Sequence, residues 1–184
     1  MTDSTSSLLD AGRVRRISRV AAVMTVVCTA LAVATPAIMA LVWLNIERLP
    51  RLPVPRALVA DLSFVDRAGG FALSLIAAGV AVWGLVSLAA LFRRFRRGDI
   101  LDARAAVLLQ RFAIAVLVLP VARIAGEGLT TAWLSRDAPP GERMVSLSLS
   151  SDDLLFVVVG VLLLTIAWVL RDAAAIADEN RQIF

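Results

Sequence analysis

Residues 112–134 read FAIAVLVLPVARIAGEGLTTAWL, from Phe112 to Leu134. An apolar run of this length meets the 17–25 residues that a helix needs to cross a bilayer core. It also carries an arginine and a glutamate in its middle. Three further runs of similar character lie at residues 20–44, 69–92 and 154–170, so the reading is an all-α membrane protein with four transmembrane helices. At 59% hydrophobic residues and a mean hydropathy of +0.82, 184 residues carry more apolar area than a water-exposed surface can hide.

The basic residues set the expected orientation. All nineteen are arginine, a bias that resembles a high-GC bacterial coding sequence. Twelve fall before the first run (Arg13, Arg15, Arg16, Arg19), between the second and third (Arg93, Arg94, Arg96, Arg97, Arg104, Arg111) or after the fourth (Arg171, Arg181). Six fall on the other side, and Arg123 remains inside a span. The positive-inside rule therefore places both termini and the middle loop in the cytoplasm of a bacterial inner membrane. A pI of about 11.1 follows from these flanking arginines, which hold orientation against anionic lipid at the cytoplasmic face, so no direct binding of nucleic acid is expected.

Residues 1–12 are rich in Ser, Thr and Asp and are expected to be disordered, leaving 13–184 as the four-helix domain. Ala32-Val33-Ala34 resembles a signal-peptidase site, but the apolar run continues to Leu44, too long for a signal h-region, and is read as a retained anchor. Thr35-Pro36 should bend the first helix. Pro50, Pro53 and Pro55 argue for an extended start to the first outer loop, and Gly69-Gly70 is expected to open the second span. Within that span Gly70, Ser74 and Ala78 recur every fourth residue, as close helix packing in membranes requires, and the partner is either this chain or a second copy in a homo-oligomer. In the second periplasmic loop, Val145-Ser146-Leu147-Ser148-Leu149-Ser150 alternates strictly, the pattern of a short β segment. Ser150 to Asp153 then supply caps for the fourth helix.

Two sets of residues could carry function. The first is intramembrane. Only about 18 Å of helix separates Arg111 from Arg123, too little to cross a core of about 30 Å, so at least one arginine lies within it. Taking Trp133 as the outer anchor puts Arg123 near mid-depth and Glu127 one turn further out, where the two share a face and can pair. Such a pair is either glue between helices or the lining of an ion or solute pocket. The second set is cytoplasmic. Arg93, Arg94, Arg96 and Arg97 precede Gly98, with Asp99 and Asp102 placed to start the third helix. This loop is either a topology anchor on lipid head groups or a docking surface for an acidic partner.

No constellation for catalysis accompanies them. Without lysine there is no Walker-type phosphate loop, and without histidine or paired cysteines no usual zinc or haem site. No cofactor, metal site or catalytic residue is expected, and the protein is read as not an enzyme. Cys28 is the lone cysteine and is read as a small apolar residue.

The segment Phe92-Arg93-Arg94-Phe95-Arg96-Arg97-Gly98-Asp99-Ile100-Leu101 and the ending Ile176-Ala177-Asp178-Glu179-Asn180-Arg181-Gln182-Ile183-Phe184 resemble a bacterial membrane family known as domain of unknown function 2975. The resemblance covers nearly the whole chain. It implies a multi-pass inner-membrane protein without established activity, whose relatives often accompany a small helix-turn-helix regulator, and it supplies no catalytic residues. It draws attention to the tail, where Asp178, Glu179 and Asn180 could contact a cytoplasmic regulator while Ile183 and Phe184 dock in a groove or fold back on the membrane. The leading expectation is a tether or modulator of such a partner. The rival is a small oligomeric transporter or channel using Arg123 and Glu127.

Overall fold

The computed structural model describes residues 3–46, 62–97, 103–137, 139 and 143–181. They form four helices, α1 (Asp3–Leu44), α2 (Phe64–Arg97), α3 (Ala103–Leu134) and α4 (Ser151–Arg181). Each contains a stretch long and apolar enough to cross a membrane: Ser18–Leu44, Phe64–Arg97, Arg104–Leu134 and Ser151–Ile176. The architecture is that of a multi-pass helical bundle.

Among the described residues each helix packs chiefly on its neighbour in the chain, α1 on α2, α2 on α3 and α3 on α4. Over an 18-residue apolar stretch of each helix, buried residues make up 28% in α2 and 33% in α3 against 11% in α1 and 17% in α4. The two middle helices are therefore the centre, and the outer two present broad apolar faces suited to lipid. Small residues make the seams. On α4 the buried positions are Asp153, Gly160, Ala167 and Ala174, a strict seven-residue repeat, and a side chain on Gly160 would collide with Leu117 of α3. Ala106, Ala113 and Pro120 repeat in the same way on α3. A seven-residue seam is that of helices in shallow left-handed contact, where small residues let backbones approach and raise dispersion contact.

At the end opposite the arginine cluster, tryptophans fill notches left by glycines. Trp43 lies over Gly70, where a Cβ would meet its ring at 2.0 Å, and its Nε1 donates to Ser74 Oγ at 2.8 Å. The small stripe of α2 thus meets α1 of the same chain. Trp133 covers Gly69 in the same manner, and the Arg136 guanidinium stacks 4.1 Å above its ring while bonding Asp66.

Several boundaries differ from the sequence reading. Helix α1 begins at Asp3, so residues 3–12 are helical where disorder is expected; once a long helix exists, adding residues at its end carries none of the nucleation cost, and no proline stands in the way. Helix α2 opens at Phe64, before Gly69-Gly70, because Ser63 and Asp66 form a reciprocal capping box: Ser63 N–H and Oγ donate to Asp66 Oδ2, and Asp66 N–H donates to Ser63 Oγ. Residues 143–150 form no strand. A strand needs a backbone partner, and what lies beside this segment is a helix whose carbonyls and amides are already paired. Pro36 and Pro120 sit within α1 and α3, and Thr35 Oγ1 donates to the Leu31 carbonyl at 2.8 Å in the turn before Pro36. The prolines of the first outer loop lie outside the described residues.

Candidate functional site

The alternating segment Met144 to Ser150 descends beside α3, with every second residue bonded to every fourth residue of the helix. Met144 N–H donates to Ser135 Oγ at 3.2 Å, and Ser146 N–H donates to Thr131 Oγ1 at 3.0 Å. Ser148 Oγ donates to Glu127 Oε2 at 2.6 Å, while its carbonyl accepts from Arg123 Nη2 at 3.0 Å. Two extended residues advance about 6.6 Å and four helical residues about 6.0 Å, so the two ladders stay in step. The Ser148 hydroxyl thus meets α3, and the Ser150 hydroxyl meets Asp153 of α4. Val145, Leu147 and Leu149 are 66%, 65% and 71% exposed, and Leu147 reaches over Gly128, where a Cβ would come within 2.8 Å of it.

This ladder ends on a charged clasp. Arg123 Nε donates to Asp153 Oδ1 at 3.0 Å and Nη2 donates to Asp153 Oδ2, the fork-on-fork geometry that arginine makes with a carboxylate. Asp153 also accepts from the backbone N–H and the hydroxyl of Ser150, at 2.8 and 3.0 Å, and its own N–H donates to the Ser150 carbonyl at 3.1 Å, capping the start of α4. One carboxylate therefore caps α4 and ties it to α3. Glu127, four residues from Arg123, lies 3.6 Å from Nη1 and takes a secondary place.

Arg123 and Glu127 are thus brought together, but the main partner is Asp153, which the sequence reading assigned only to capping. A through-space pairing across about thirty residues of chain leaves no periodic trace. The level of the clasp also matters. About 16 Å of helix rise separates Arg123 from Leu134, whereas α4 starts beside it. Helices α1 to α3 therefore overhang the start of α4 and leave a notch, floored by Arg123, Glu127 and Asp153 and walled by the serine ladder. Irregular backbone within a membrane is tolerated only where protein or water satisfies it. The Arg123 side chain is 40% exposed there, against 4% for Asp153.

At the opposite end, Arg93, Arg94, Phe95, Arg96 and Arg97 form the last turns of α2, and Phe92 and Phe95 meet edge to face with centroids 6.2 Å apart. Asp99 and Asp102 lie outside the described residues. In the tail, Asp178, Glu179 and Asn180 belong to α4, which runs to Arg181; Ile183 and Phe184 lie outside the described residues. Among the described residues no group of three His, Cys, Asp or Glu is placed to hold a metal ion.

Residues 29–183, from the middle of α1 through the tail, match the family described as Protein of unknown function (DUF2975). The chain belongs to this family. No curated protein and no solved structure matches it. The DUF2975 match spans the clasp, the arginine-rich turn and the tail alike, and its description assigns none of them a role.

Proposed function

We propose that this DUF2975 member is a non-enzymatic protein of the bacterial inner membrane, with both termini cytoplasmic, that tethers or modulates a cytoplasmic partner such as a small helix-turn-helix regulator. The docking surface is Arg93 to Arg104 together with Asp178 to Phe184. One observation carries this reading: α4 continues as helix to Arg181, beyond the apolar run that ends at Leu170, at the bundle end where α2 finishes in arginines and α3 begins. Cationic turn and mixed-charge tail are then read together by one partner. Co-purification from a membrane fraction, comparing the full chain with a form lacking residues 178–184 and a form with Arg93, Arg94, Arg96 and Arg97 changed to Gln, tests it. A regulator that is captured by the full chain and lost from both variants supports tethering; identical sets of captured proteins reject it.

The second reading, an oligomeric channel or transporter, is favoured by the cluster of Arg123, Glu127 and Asp153, in which the arginine is partly exposed. Against it, the forked pairing of Arg123 with Asp153 and its bond to the Ser148 carbonyl join α3 to α4, as a helix clasp requires. Liposome flux unchanged by Arg123→Leu with Glu127→Leu would dismiss the transport reading.

A further inference from the structure

Where α2 ends and α3 begins, a cleft of about 220 Å³ is lined by Arg94, Arg104, Val107, Leu108 and Arg111. Its geometry follows from helix register. A Cβ on Gly84 would meet Ala115 at 2.8 Å, which fixes the level of these antiparallel helices; ten residues on from Gly84 is Arg94, and ten back from Ala115 is Ala105. Arg94 therefore reaches the cleft beside Arg104. On α3, positions 104, 107, 108 and 111 share one face, so two arginines bracket an apolar pair across about 10 Å of rise. Arg111 lies about two turns further along α3 from Arg104, on the face that carries Val107 and Leu108.

We propose that this cleft is a stoichiometric site for one anionic glycerophospholipid of the adjoining leaflet, its phosphodiester held by Arg94, Arg104 and Arg111 and the start of its acyl chains by Val107 and Leu108. Planar guanidiniums suit phosphate oxygens, and the apolar pair between the arginines suits a lipid better than a free anion. A cavity several times the roughly 30 Å³ share of one water has room for a head group. The site does not depend on the tethering reading, and the terminal pair Arg96 and Arg97 lies outside its lining.

Mass spectrometry of the intact full chain released from detergent tests this, with phosphatidylglycerol, phosphatidylcholine and inorganic phosphate as probes. One phosphatidylglycerol per chain is expected to survive collision energies that strip phosphatidylcholine, and millimolar phosphate should not displace it. Arg104→Gln with Arg111→Gln should weaken retention about tenfold or more, since each arginine near lipid contributes on the order of 1 kcal/mol. Val107→Phe keeps every charge but fills the cleft and should cause a similar loss, while Arg96→Gln with Arg97→Gln should cause none. Circular dichroism checks that each variant remains helical. Equal retention of both lipids, displacement by inorganic phosphate, no effect of Val107→Phe, or equal loss on changing Arg96 and Arg97 would each overturn the proposal.

Discussion

Arg123 answers two carboxylates and a carbonyl at once, and its value lies in what removing it leaves behind. Arg123→Leu strands Asp153 and Glu127 beside each other with no counter-charge. Breaking a fully buried pair costs roughly 3–5 kcal/mol; with 40% of this side chain exposed, about 2 kcal/mol is expected in detergent unfolding titrations. Adding Asp153→Asn should recover part of that loss, because it removes the orphaned charge while keeping an oxygen to accept from Ser150 at the start of α4. A double variant less stable than the single would show that the clasp is not the principal interaction. Glycines give a second contrast at this scale. Gly70→Ala drives a methyl into the Trp43 ring and should cost about 1–3 kcal/mol, while Gly79, with open space around its missing Cβ, should tolerate alanine or gain about 0.5–1 kcal/mol. Equal melting temperatures for the two would contradict the packing.

Helices of this kind are legible in sequence because apolar length is their cause, and all four runs recur as helices. What fixes their ends is local polar chemistry. The cap Ser150 to Asp153 is read from sequence as the start of α4, while the equivalent Ser63-Phe64-Val65-Asp66 is equally present and marks the true start of α2. Alternation at residues 145–150 is a genuine signal of extended chain, but it does not say what the hydroxyls meet; here that of Ser148 meets Glu127 of α3 and that of Ser150 meets Asp153 of α4. The ladder makes its own prediction. Thr131, with no exposure, accepts from Ser146 N–H, so Thr131→Val keeps the volume, strands a donor, and should cost about 1–3 kcal/mol. Thr25, bonded only to its own helix through the Ala21 carbonyl, should accept the same change almost neutrally. Amide exchange at residues 144–148 should accelerate in the first variant and not in the second; protection unchanged in both would mean that the segment is not held by α3.

For the molecule as a whole, composition alone sets the solvent, and arginine placement separates one end from the other. The central contact between α3 and α4 is not legible, since Asp153 meets Arg123 only after the intervening loop has turned the chain back. The two ends that result differ in kind: a notch at one, floored by charge and walled by serines, and a cationic turn with a helical tail at the other. Membrane-impermeant maleimide labelling of single cysteines, introduced at Ser148, Gly98 and Gln182 in a Cys28→Ala background, measures that division directly. Ser148→Cys should react in intact spheroplasts, while Gly98→Cys and Gln182→Cys should react only after the membrane is permeabilised. Labelling of the loop and tail positions from opposite sides, or a Ser148→Cys that is inert under both conditions, would contradict the account.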